Sequence, residues 1–142
     1  MILDTPNFLA FVPYAAEVPF ETWIVPKRHH ADFEQITDEE QIDLASILQT
    51  FLVRLRSELH DPDYNYVINS SIRRGADEYL HWYVRVRPRL ITRAGFEIGS
   101  GIRINPSLPE SDAALLRTDS LGRAAPHNPP TDSSYYLKTF LL

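Results

Sequence analysis

The segment His81-Trp82-Tyr83-Val84-Arg85-Val86-Arg87 alternates between apolar and polar side chains, and no other stretch constrains the fold more. Read as a β-strand with period two, it puts Trp82, Val84 and Val86 on one face and His81, Tyr83, Arg85 and Arg87 on the other. A chain carrying such a strand must build a sheet with one dry face and one wet face, and must cover the dry one. The wet face is chemically specific. Guanidinium groups recognise phosphate in planar, bidentate fashion, and an imidazole transfers protons near neutral pH. The expectation is that these four side chains share one concavity facing a phosphorylated ligand. The alternative is a solvated sheet face whose arginines pair with acids such as Asp77, Glu78 or Glu97.

The cover for the dry face is legible too. Thr37 followed by Glu40 has the form of a capping box, and Asp38, Glu39 and Glu40 suit the positive end of a helix dipole. Ile42, Ala45, Ile47, Leu48, Phe51, Leu52, Leu55 and Leu59 recur at helical spacing, which predicts a long amphipathic helix over Asp38–His60, stopped by Asp61-Pro62. Phe8–Val12 ahead of Pro13, Phe20–Val25 between Pro19 and Pro26, Tyr64–Ile68 and Leu80–Arg87 read as strands. Ser70–Glu78 reads as a polar loop, and Ile102-Arg103-Ile104 as a short strand among Gly95, Gly99 and Gly101, glycines that suit turns with positive φ. Pro109 opens a short C-terminal helix through Leu116. The predicted class is α+β, an antiparallel sheet with one long helix on a face and a short C-terminal helix. Residues 1–117 form the domain and 118–142 an irregular tail.

Composition narrows the partners. A net charge of −5 argues against a general nucleic-acid surface. The sign is unevenly spread, with seven arginines between Arg73 and Arg103 against only Asp77, Glu78 and Glu97. There is no cysteine, hence no disulfide or thiolate metal site, and no apolar run long enough for a bilayer. These features predict a cytoplasmic chain with no membrane partner.

Several blocks carry a family signature. Phe11-Val12-Pro13-Tyr14-Ala15-Ala16, Pro19 through Lys27, His30, Tyr64-Asn65, His81-Trp82, Pro88-Arg89-Leu90, Ala94-Gly95-Phe96-Glu97 and Gly99-Ser100-Gly101 resemble the second half of galactose-1-phosphate uridylyltransferases, from about Phe8 to Arg117. The resemblance implies the histidine-triad (HIT-like) fold, an antiparallel sheet with a long helix packed on it, and transferase chemistry in galactose metabolism. It also exposes an absence, because that family's nucleophile is a histidine in a His-Pro-His segment of the first half, and these 142 residues contain none. The implied role is that of a half-enzyme: a truncated or split product, a domain, or a free-standing paralogue that binds a sugar phosphate or nucleotide sugar. Its partner would be a second copy in a homodimer, or a separate N-terminal-half chain. A HIT-type hydrolase or transferase using His81, and a non-catalytic binding or dimerisation module, are the competing readings.

His81 is the candidate catalytic residue, although Tyr79 and Tyr83 stand where HIT proteins alternate histidines. Tyr83, Arg85, Arg87, Lys27 and Glu97 are the candidate ligand or phosphate contacts. Glu97 matches the family's sugar-binding glutamate, and otherwise reads as a backbone cap. The Lys27-Arg28-His29-His30 cluster reads either as an anion contact or as a solvated turn. Relatives hold zinc or iron through a His-X-His pair with a further histidine and a glutamate. Here the pair is His81-X-Tyr83, so no cofactor and no closed metal site is expected.

Overall fold

The computed structural model describes residues 1–71 and 79–117. Among these residues five strands form one antiparallel sheet: β1 Leu3–Asp4, β2 Phe8–Phe11, β3 Thr22–Pro26, β4 Tyr64–Asn69 and β5 Tyr83–Pro88, in the order β1-β2-β3-β5-β4. Three α-helices accompany them: α1 Asp38–Leu59, α2 Gly95–Ser100 and α3 Pro109–Arg117. The α+β class and the helix on one face are as the sequence predicts. The tail 118–142 and residues 72–78 of the polar loop lie outside the described residues, and no helix among those described is long and apolar enough to cross a membrane.

The dry face of β5 behaves as its alternation demands. Trp82, Val84 and Val86 are buried, in a core completed by Phe8 and Ala10 of β2, Ile24 of β3, Ile47, Phe51 and Leu55 of α1, and Ala113 and Leu116 of α3. Trp82 meets Phe8 and Phe33 edge-on, at centroid distances of 5.7 and 4.9 Å. The helix begins with the capping box: Thr37 Oγ1 accepts from Glu40 N, and Glu40 Oε2 accepts from Thr37 N. It stops where His60 turns left-handed at φ 59°, followed by Asp61 at 63°. Ile42 departs from the reading. It is 74% exposed, because it lies off the helix stripe that buries Glu40, Ile47, Phe51 and Leu55.

Two other expectations are corrected. Ile102-Arg103-Ile104 is not a strand, and Gly95 and Gly99 are not positive-φ turns but residues of α2. Only Gly101, the left-handed cap of α2 at φ 72°, uses glycine's freedom in this stretch. The sheet edge is the last feature that bears on function. Register pairs Tyr66 with Val86 and Ile68 with Val84, so those residues share the helix-side face. Yet Tyr64, Tyr66, Val67 and Ile68 all remain exposed along β4.

Candidate functional site on the outer face of strand β5

Antiparallel pairing brings Trp23 of β3 beside Arg85, with Val67 of β4 on the other side. Alternation then carries Tyr83 and Arg87 to the same outer face. Tyr83 stacks on Trp23 at 4.4 Å and 21°, and Phe11 approaches Trp23 at 6.2 Å, giving an aromatic row across three strands. Just ahead of β5, His30 N donates to Leu80 O and Trp82 N donates to His30 O, a bridge that draws the Lys27–His30 turn alongside His81. The His29 and His81 rings lie 4.4 Å apart. His81 Nδ1 is buried without a hydrogen-bond partner among the described residues.

The arginines are paired, but not with the acids the sequence suggested. Arg85 Nε and Nη2 donate to Glu21 Oε1 and Oε2 at 2.8 and 3.2 Å, and Nη2 also meets Glu17 Oε1 at 3.1 Å. Arg87 Nη2 donates to Glu17 Oε2 at 2.9 Å, and Arg103 Nε lies 3.6 Å from the same oxygen. Asp77 and Glu78 lie outside the described residues, and Glu97 is occupied elsewhere. Both partner acids come from the β2–β3 loop. Glu21 is buried beneath the face, and its carboxylate also accepts from Trp23 Nε1 and Glu17 N. The hydrogen bond from Arg85 holds the Glu17 carboxyl below its ordinary range, against partial desolvation and with help from the charges of Arg85, Arg87 and Arg103. Burial works against the charge of Arg85, but its bonds to Glu21 and Glu17 prevail and raise its pKa.

The loop itself is clasped from the C-terminal side. Asn105 Nδ2 donates to Ala16 O, and Phe20 N donates to Asp112 Oδ2 at 2.8 Å, which holds Phe20 at a left-handed φ of 59°. Asp112 also accepts from the Ser107 hydroxyl, and burial raises its pKa.

Lys27 is likewise tied down. Its Nζ donates to Thr5 O and meets Asp4 Oδ1 at 2.6 Å, which fastens β3 to the N-terminal hairpin rather than presenting a free ammonium. Arg28 makes a two-pronged contact with Glu40, at 2.9 Å on each oxygen, and this bond above all lowers the Glu40 pKa to about 2. Glu97 caps its own segment, accepting from Ala94 N and Ile104 N at 3.1 Å each. Those bonds, Ile104 first, lower its pKa, and each carboxylate oxygen keeps a lone pair for a further donor. Around it Phe96, Ile98, Ile102 and Ile104 are exposed.

Residues 1–120 match the family model for the C-terminal domain of galactose-1-phosphate uridyl transferase. The chain belongs to that family. It is 38% identical over 124 residues to an ADP-glucose phosphorylase of Arabidopsis thaliana, covering 85% of this chain and 35% of that one. With the structure of the Arabidopsis enzyme with bound ADP-glucose it shares a TM-score of 0.79, over 84% of this chain and 40% of that one. A galactose-1-phosphate uridylyltransferase of Thermotoga maritima is 29% identical over 126 residues, 82% of this chain and 39% of that one. A zinc-bound histidine triad family protein of Mycobacterium smegmatis is 26% identical with a TM-score of 0.57, covering 82% of this chain and 79% of that one. The chain thus spans well under half the length of the two curated relatives.

Within this family the metal question is decided by donors. Among the described residues no three His, Asp or Glu side chains gather as ligands, and the position of the second histidine of the pair is held by Tyr83, stacked on Trp23. The described residues do not bring together the ligand set of a closed zinc or iron site. Sequence reading assigned no site role to Glu17, Glu21, Arg103 and Trp23. The one signal was the i, i+4 pair of acids between Pro13 and Pro26, facing an arginine-rich second half.

Proposed function

We propose that this uridylyltransferase-family domain works as the C-terminal half of a hexose-1-phosphate nucleotidylyltransferase, supplying sugar-phosphate contacts but not the nucleophile. The carrying observation is the Ala94–Gly101 arm. It retains the family's Ala-Gly-Phe-Glu block, and it presents Glu97 on a self-capped turn ringed by exposed apolar side chains. A carboxylate held this way is pre-organised to accept hydroxyl donors from a sugar. His81 suits a contact role better than a nucleophilic one. A nucleophilic imidazole needs a group on its second nitrogen to fix the tautomer, and Nδ1 has none among the described residues.

The rest of the site comes from a first-half domain that docks on this one. The β4 edge supports this, because Tyr64–Asn69 contains no charge and no proline to discourage strand addition. Mixing the purified chain with the first half of the Arabidopsis ADP-glucose phosphorylase tests the reading. Nucleotidyl transfer is expected from the mixture and not from either part, and Glu97→Ala should lower it at least about tenfold, as for a charge-assisted contact worth 1.5 kcal/mol or more. Complex formation without transfer, or transfer indifferent to Glu97→Ala, overturns the reading.

A further inference from the structure

Three guanidiniums converge on one displaceable carboxylate. Arg85 and Arg87 reach Glu17 from β5, and Arg103 reaches it from the segment after α2, at 3.1, 2.9 and 3.6 Å. The two acids of the cluster differ in kind. Glu21 is 1% exposed and its four hydrogen-bond donors are Trp23 Nε1, Glu17 N and two nitrogens of Arg85, so it is a fixed counter-ion. Glu17 has a side chain 39% exposed, and its backbone N–H is anchored to Glu21, so its carboxylate can swing out while the loop stays in place.

We propose that Arg85, Arg87 and Arg103 form a phosphoryl-binding cradle whose place is kept, in the free chain, by the carboxylate of Glu17. Charge supports the assignment. With Glu21 permanently engaged, removing Glu17 from among three cations leaves two positive charges, the complement of a phosphate monoester dianion at neutral pH. Geometry supports it as well. The three arginine side chains remain 20–28% exposed, and forked N–H groups that grip two carboxylate oxygens present the same spacing to two phosphate oxygens. Glu17 then acts as a built-in competitor. It keeps three like charges from facing one another in the empty site, and it sets a threshold a ligand must exceed.

The ligand chemistry is a phosphoryl dianion, from a sugar 1-phosphate or from the terminal group of a nucleoside diphosphate. The cradle adjoins the Glu97 contact through Arg103 and the Ile104 N–H that Glu97 accepts, but phosphate binding needs no catalysis, so it stands or falls independently of nucleotidyl transfer. The test is titration of the full chain, at fixed ionic strength, with glucose 1-phosphate, ADP and inorganic phosphate. It is read on the arginine Nε–H resonances, assigned with single Arg→Lys variants. Glu17→Gln should tighten binding at least about tenfold, because it removes the competing bound state. Arg87→Lys or Arg103→Lys in the Glu17→Gln background should abolish that gain. The tighter of glucose 1-phosphate and ADP names the source. Glu17→Ala is a second variant, should Gln disturb the loop, and circular dichroism checks that each is folded. If the Glu17 variants bind all three probes within twofold of the natural chain, or the arginine resonances stay fixed throughout, the cradle does not exist.

Discussion

The two faces of strand β5 are built from alternate residues of one short segment, yet different physics holds them. On the inner face Trp82, Val84 and Val86 are buried among side chains of β2, β3, α1 and α3. That stabilisation is non-directional, and many apolar residues of similar size would serve. On the outer face Tyr83 is held by stacking on Trp23, and Arg85 and Arg87 by directed contacts to Glu21 and Glu17. There the identity of every atom counts. The inner face explains why the chain folds, and the outer face is the one we propose for recognition.

Substitutions should separate the two. Trp82→Ala should be the most damaging, at about 3–5 kcal/mol, because it empties a site packed on both sides by Phe8 and Phe33. Denaturant midpoints measure it, and a loss below about 1.5 kcal/mol would contradict the contrast. Glu21→Ala comes next, at about 2–4 kcal/mol, since it strands Arg85 and Trp23 Nε1 while Glu17 remains to Arg85. A neutral result would mean the outer lattice is not the support described.

Acid gives a third test. The Glu40 carboxyl, held near pKa 2 first by Arg28, favours the folded state above its ordinary pKa, 4.5. That contribution should fade as pH falls from about 4.5 toward 2, and should be about 2 kcal/mol once water around the half-exposed Arg28 is allowed for. Stability measured against pH should slope downward there in the natural chain and less steeply in Glu40→Gln. The smallest effect belongs to Glu17→Gln, below about 1 kcal/mol, as for a half-exposed ion pair. A residue with a large effect on anion binding and a small one on stability is what a placeholder requires.

How far all this was legible follows the same division. The inner face of β5 and the capped helix α1 could be read directly, because periodicity and capping are local patterns. Glu17 and Glu21 could not be assigned, since they meet Arg87 and Arg85 across 70 and 64 residues and ion pairing has no period. Gly95 and Gly99 read as turns because composition hides α2, whose six residues are capped by the reach of Glu97 back to Ala94. Lys27 and Arg85 read as free cations because their partners are set by topology, Asp4 through the hairpin and Glu21 through the loop over the sheet. The exposed β4 was legible as a strand but not as an edge, a property of strand order alone.

The central claim is that this chain recognises a sugar phosphate and leaves the chemistry to another half. A nucleotidyl-transfer assay on the purified 142 residues, offering UDP-glucose with galactose 1-phosphate and ADP-glucose with inorganic phosphate, tests it most directly. The account predicts turnover at background, unchanged by His81→Ala. Transfer above background that His81→Ala abolishes would make His81 the nucleophile and contradict the account.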